Sequence, residues 1–219
     1  MGVQDDRREI EQIELIELDP PTAKSRSGTD AVLNIGSVKI EFELKSTTKD
    51  SVTTVRDFGM EHIQKWANKH WLFGFYTPKG NALRFTRYAS PLMMAPWIED
   101  RREYIEADFR LADLVPDRLV LEDLYRLLGK QDVYGLHQAQ KLQKKQLRDE
   151  QYRELMDCEH GFSAGMMLEL LKMRCRYVIL RGSTLNNPHI PKVVLDGFPK
   201  ITANHSAELR KLVAQSLKS

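Results

Sequence analysis

Asp30, Glu43 and Lys45 are the residues of this chain whose types and spacing could do chemistry together. Glu43 and Lys45 stand two apart in the stretch Ser37 to Thr48, SVKIEFELKSTT, which alternates strictly from Lys39 onward. As a strand it places Ile40, Phe42 and Leu44 on one face and Glu41, Glu43 and Lys45 on the other. Neighbouring same-face positions lie about 6.6 Å apart, twice the rise of roughly 3.3 Å per residue. Glu43 can therefore hold an ion while the Lys45 ammonium reaches past it to a phosphate or a water. Asp30 lies a short loop upstream, with Gly28 and Gly36 punctuating the approach, and brings a second carboxylate. Two carboxylates, waters and substrate phosphate are what a hard cation such as Mg²⁺ takes, and the Leu44 backbone carbonyl adds a third protein oxygen. Such an ion acidifies a bound water and neutralises charge on a phosphate, with Lys45 positioning the nucleophile or stabilising the transition state. That is the chemistry of phosphodiester hydrolysis. The competing reading is a half-buried strand with an ordinary wet face. A carboxylate-x-Lys triplet arises easily where 29% of residues are charged, yet the sequence holds no second one.

The order Asp, loop, strand bearing Glu-x-Lys resembles the PD-(D/E)XK nuclease superfamily, and the size and layout of the chain resemble a type II restriction endonuclease. Residues 28 to 48 carry the motif, with Thr29 where the pattern has its proline. The resemblance implies an α/β fold with a mixed central sheet flanked by helices. It implies Mg²⁺-dependent hydrolysis of double-stranded DNA at a specific palindromic sequence, with Mn²⁺ as a substitute ion. Cutting both strands of a palindrome needs two centres related by a twofold axis, hence a homodimer. An N-terminal helix of such an enzyme often lends the metal site a further Glu, and Glu14 is the candidate. The alternatives are a structure-specific repair or junction-resolving nuclease, and a non-catalytic DNA-binding or assembly protein in which Glu43 and Lys45 are a surface pair.

The elements that must position the trio follow from periodicity. Residues 5 to 18 read as a helix with Ile10, Ile13 and Leu18 near one face, stopped by Asp-Pro-Pro at 19 to 21. Residues 22 to 29 form a polar loop in which Arg26 is a candidate phosphate contact. Val55 to His70 has one apolar stripe at helical spacing. Thr47, Thr48, Thr53, Thr54 and Arg56 are candidate DNA contacts around the end of the strand and the start of that helix, with capping and solvation as the other reading. Trp71 to Thr77 and Leu83 to Tyr88 read as two strands joined by Pro78-Lys79-Gly80-Asn81. Helices are expected from Pro96, over 118 to 128 closed by Gly129, over 136 to 156, and after a cap at Ser163. YVIL at 177 to 180 reads as a buried strand. The following loop supplies Arg181, Ser183, Thr184, Asn186, Asn187 and Lys192. Its amides match adenine and its cations match guanine or phosphate, or the segment is simply a turn rich in Asn and Pro. A last amphipathic helix covers 206 to 217.

With 219 residues the chain is expected to form one domain, its catalytic sheet core at about 28 to 90 plus 177 to 181 and a helical region at about 96 to 175. A hydrophobic content of 42% excludes a disordered chain. The charged start MGVQDDRREIEQ is no signal peptide and no apolar run approaches the ~18 residues of a membrane span, so a cytoplasmic protein is expected. Cys158 and Cys175 lack CxxC partners and suggest neither zinc nor a disulfide. A net charge of +2 hides any local patch and decides nothing about a polyanion partner. Walker A, GxGxxG, GxSxG and HExxH patterns are absent.

Overall fold

A computed structural model of the chain describes residues 2–21, 28–183 and 187–218. It is an α/β protein whose contacts cluster in two units, Met1–Tyr104 with Asn186–Ser219, and Ile105–Leu185.

The first unit is built on a mixed five-stranded sheet. After α1 (Gly2–Ile16) come β1 (Ala31–Ile35) and β2 (Val38–Thr47), an antiparallel hairpin whose turn uses Gly36 at a φ of 58°. β3 (Val52–Thr53) and α2 (Met60–Trp66) lead to β4 (His70–Tyr76), parallel to β2. β4 turns through Gly80 into antiparallel β5 (Leu83–Ala89). The order across the sheet is β1, β2, β4, β5 and β7 (Lys200–Ile201). β6 (His189–Ile190) pairs instead with β3 in a separate ribbon. α8 (Lys192–Asp196) and α9 (His205–Ser216) complete the unit.

Alternation along β2 decides which side holds the core. Ile40, Phe42 and Leu44 pack with Leu72, Tyr88 and Ile16 and with Leu209 and Val213 of α9. The opposite face carries Glu43 and Lys45, and beside them Trp71 and Phe73 of β4. An aromatic layer covers it: Trp66 of α2 lies 5.2 Å from Trp71, and Phe198 stacks on Phe73 at 5.8 Å. β4 is buried along its whole length, as a near-continuous apolar run in a central strand should be.

The second unit is helical. It comprises the later turns of α3 (Pro91–Leu114), then α4 (Leu121–Leu128), α5 (Leu136–Leu142), α6 (Asp149–Glu154) and α7 (Ala164–Ser183). Leu124, Tyr134, Tyr152, Phe162, Met167 and Leu170 are its core. Gly161 is required there, since a Cβ would meet the Tyr134 carbonyl oxygen at 2.2 Å. Ser163 does cap α7, its hydroxyl accepting from the Met166 N–H at 3.2 Å.

Several elements differ from the sequence expectation. Residues 177 to 181 are not a strand but the continuation of α7. Tyr177 and Val178 are 43% and 51% exposed, which a central strand would not allow. A four-residue apolar run cannot be assigned by period alone, and the helix simply runs through it. The helix expected over 55 to 70 shortens to α2, because Val52 and Thr53 pair as β3 and Asp57 takes a φ of 53°. The helix expected over 136 to 156 breaks into α5 and α6 where Lys144 and Lys145 adopt φ of 51° and 56°. Among the described residues no helix is long and apolar enough to cross a membrane.

Candidate active site

The structure brings the three sequence-derived residues to one place. Asp30 immediately precedes β1, and its N–H donates to the Phe42 carbonyl at 3.1 Å, which sets it beside the middle of β2. Its Oδ2 accepts the Leu44 N–H at 2.8 Å and lies 3.8 Å from the Lys45 ammonium. Lys45 Nζ donates to Glu43 Oε1 at 2.8 Å. A residue in an extended strand sends its N–H and C=O to the same edge, so the Leu44 carbonyl also turns toward Asp30.

Glu43 is only 1% exposed. Its second oxygen, Oε2, lies 3.0 Å from Lys65 of α2. Both carboxylate oxygens of Glu43 therefore face an ammonium, Lys45 at Oε1 and Lys65 at Oε2. Burial alone would push the Glu43 carboxyl up, but Lys45 and Lys65 outweigh it and hold the group below the usual glutamate range. Asp30 goes the other way: burial raises it, Lys45 opposes, and the Glu43 charge adds to the rise. Two neighbouring carboxylates are thus driven apart in proton affinity, a pattern characteristic of functional sites. Burial would lower the Lys45 ammonium, yet Glu43 and Asp30 raise it, so Lys45 is a firm cation at neutral pH.

A second layer surrounds the trio. The Thr29 hydroxyl donates to Glu41 Oε2 at 2.7 Å and accepts from Lys69 Nζ at 2.9 Å. The residue that departs from the motif's proline therefore tethers the loop before Asp30 to the motif strand. Down the face Glu41, Glu43 and Asp30 meet Lys69, Lys65 and Lys45, a row of acids matched by a row of ammoniums.

The contribution expected from Glu14 is corrected. Glu14 is exposed and lines a hollow with Arg7, Ile10 and Gly80, away from the trio. From α1, the charge of Glu9 acts on Lys45. The buried stripe of α1 is Gln12 and Ile16 with Ile13 packed beside them, while Ile10 is 55% exposed. Positions 9, 12, 13 and 16 share one helical face; position 14 is turned about 140° from position 9 at 100° per residue.

The candidate DNA contacts separate. Thr47, Thr48, Thr53, Thr54, Arg56 and Asn187 line, with Lys45, one hollow of about 680 Å³. Two of them are occupied structurally: Thr47 Oγ1 donates to the Ser51 carbonyl at 2.7 Å, and Thr54 Oγ1 donates to that of Pro188 at 3.0 Å. Thr53 to Arg56 precede α2 rather than opening it, so they form no helix N-terminus. Lys192 instead pairs with Asp50 at 3.5 Å and lines another hollow with Arg84 and Arg87. Arg181 and Ser183 belong to the last turn of α7 in the helical unit, and the Ser183 hydroxyl is buried with no hydrogen-bond partner among the described residues. Arg26, Thr184 and Asn186 lie outside the described residues.

Sequence reasoning missed Lys65, Lys69 and Glu9. The lysines reach β2 only because α2 crosses over to a parallel strand, which leaves no local signal. Glu9 was findable from its i+3 and i+7 relation to Gln12 and Ile16. Among the described residues no three His, Cys, Asp or Glu side chains gather as a preformed metal cluster. Asp30 and Glu43 are joined through the Lys45 ammonium, and their carboxylates, with the Leu44 carbonyl on the strand edge that faces Asp30, are hard donors of the kind Mg²⁺ takes, completed by water and phosphate. Scanned against models of known protein families, the chain matches none, and a search of curated proteins finds no match either.

Proposed function

We propose that this chain is a Mg²⁺-dependent type II restriction endonuclease with a restriction-endonuclease-like fold, acting as a homodimer on double-stranded DNA in the cytoplasm. The observation that carries the reading is the meeting of Asp30, Glu43 and Lys45, with the Asp30 carboxylate 2.8 Å from the Leu44 amide and 3.8 Å from Lys45, and Lys45 2.8 Å from the buried Glu43 carboxylate. Asp30 and Glu43, with the Leu44 carbonyl, are the residues that would hold Mg²⁺ or Mn²⁺. The ion when bound would acidify a water and offset charge on the scissile phosphate.

The chain's own residues perform the rest. Lys45 stays protonated, so it serves as a donor and a fixed positive charge toward phosphate rather than as a base. Glu43 remains ionised because two ammoniums hold its pKa down. Lys65 balances Glu43 from α2 and keeps the carboxylate oriented. The hollow that continues past Lys45 is lined by hydroxyls, amides and cations, the donor chemistry a phosphodiester backbone accepts.

A surface ion pair without catalysis is disfavoured by the burial of Glu43, since a decorative pair would sit in water. The test is digestion of plasmid and phage DNA with Mg²⁺, followed by sequencing of the fragment ends. Discrete ends that vanish in Glu43→Gln and Lys45→Ala support the reading. Mg²⁺-dependent cutting retained in both variants overturns it, and nicking at junctions or mismatches instead of sites would move it to a repair nuclease.

A further inference from the structure

β3 and β6 form a ribbon of two residues each, pairing Val52 with Ile190 and Thr53 with His189. Val52 and Ile190 are fully buried, so alternation sends the cross-strand pair Thr53 and His189 to the exposed side. The ribbon is pinned from behind. The Thr54 N–H and hydroxyl both donate to the Pro188 carbonyl, at 3.1 and 3.0 Å, and the indole of Trp97 donates to the His189 carbonyl at 3.3 Å. Exposed side chains on a fixed backbone bind with little ordering cost.

This ribbon walls the hollow that contains Lys45. Glu9 is the one acid among the described residues lining that hollow. Thr47 and Thr54 have spent their hydroxyls on backbone carbonyls. Among the described residues the side chains of Asn187 and Arg56 make no hydrogen bond or ion pair, although both line the hollow. Thr53 Oγ1 lies 3.1 Å from His189 Nδ1; a hydroxyl can donate or accept, so in either tautomer the contact engages Nδ1 and orients the ring, leaving Nε2 as the ring nitrogen toward a ligand.

We infer that the β3–β6 ribbon is the element that reads base edges in a DNA duplex, with Asn187 and the Thr53-oriented His189 as specificity residues and Arg56 as a phosphate anchor. Asn187 offers an adjacent donor and acceptor, the pattern that matches the major-groove edge of adenine. His189 offers one ring nitrogen to a purine or a pyrimidine edge. Arg56 contributes charge without sequence information. The inference rests on the nuclease reading above but names a different set of residues from those that cleave.

The experiment uses the whole chain and a library of duplexes with a randomised core. Duplexes retained in Ca²⁺ are sequenced, and in parallel the ends produced in Mg²⁺ are sequenced. The wild type is expected to enrich one motif in both arms. Asn187→Asp and His189→Gln are expected to lose about tenfold or more of the discrimination at one or two positions of that motif. Arg56→Ala is expected to weaken all sequences alike and to reduce the salt dependence by about one charge. Asn187→Asp is isosteric, so it keeps the test valid should the His189 variant fold poorly. An unchanged motif in both ribbon variants overturns the inference while leaving the nuclease standing. A motif bound but never cut removes the nuclease reading, and the ribbon is then judged by whether its variants lose the motif. A wild type that shows no motif in either arm overturns the ribbon as a reader, whether or not it cuts.

Discussion

Two adjacent residues on opposite faces of β2 are equally withdrawn from water and held in place by opposite physics. Phe42 and Glu43 are adjacent, at 0% and 1% exposure, yet Phe42 is fixed by packing with α1 and α9 whereas Glu43 is fixed by two ammoniums. Packing is non-directional and adapts to small changes of shape. A buried carboxylate needs its counter-charges and cannot exchange them for volume. One face therefore rests on packing and the other on charge pairing, and the strand's period of two keeps them from interfering.

The largest expected effect divides the faces most sharply. Glu43→Gln preserves shape and should lower single-turnover cleavage per folded molecule by about a thousandfold or more, and it also costs stability because Lys45 and Lys65 lose their counter-charge. Phe42→Ala should do the reverse, costing about 3–5 kcal/mol in denaturant unfolding while the folded fraction keeps its rate per molecule. If Glu43→Gln kept its rate, or folded Phe42→Ala lost it, the separation of roles along β2 would be wrong.

His70 gives an intermediate effect on the apolar side. Burial drops its imidazole to about 4 from 6.5, and the ring shares a 2.8 Å hydrogen bond with the Tyr88 hydroxyl. The fold therefore holds a neutral ring: its contribution is complete above pH 6.5 and is lost as pH falls from 6.5 toward 4, by at most about 3 kcal/mol. His70→Leu should flatten the unfolding free energy over that window, measured by urea titration at several pH values.

The smallest effect has the opposite sign. The Asp30 carboxyl is raised above its ordinary value of 3.8 by burial, so stability falls as pH rises from 3.8 to that raised value and the cost is complete above it. Asp30→Asn removes the charge while its amide oxygen can still accept the Leu44 N–H. It should melt at the same temperature or slightly above wild type at pH 7 while cleavage is lost, the trade expected where a site is strained for function.

How much of this was legible beforehand follows from the range of the interactions. The β2 strand, the trio around it and the β4–β5 pair were readable because period and turn residues are local, whereas residues 31–35, read as part of a loop, form β1. The α1 face was misjudged through Ile10, an apolar residue that stays in water, and Glu14 went with it. YVIL was misread because its apolar run is too short to display a period. Lys65, Lys69 and the β3–β6 ribbon were illegible for one shared reason: each joins residues that only the crossover and the long return of the chain bring together.

Gly74 lies in the middle of β4, where a glycine would ordinarily weaken a strand. A Cβ there would come within 2.9 Å of the Gln12 side chain, which at 1% exposure has no room to swing aside. The bare backbone at this point sets how flush the first helix lies on the sheet. The helix carries Glu9 toward Lys45, so the absence of one methyl group acts as a spacer that tunes the charge environment of a lysine on the neighbouring strand.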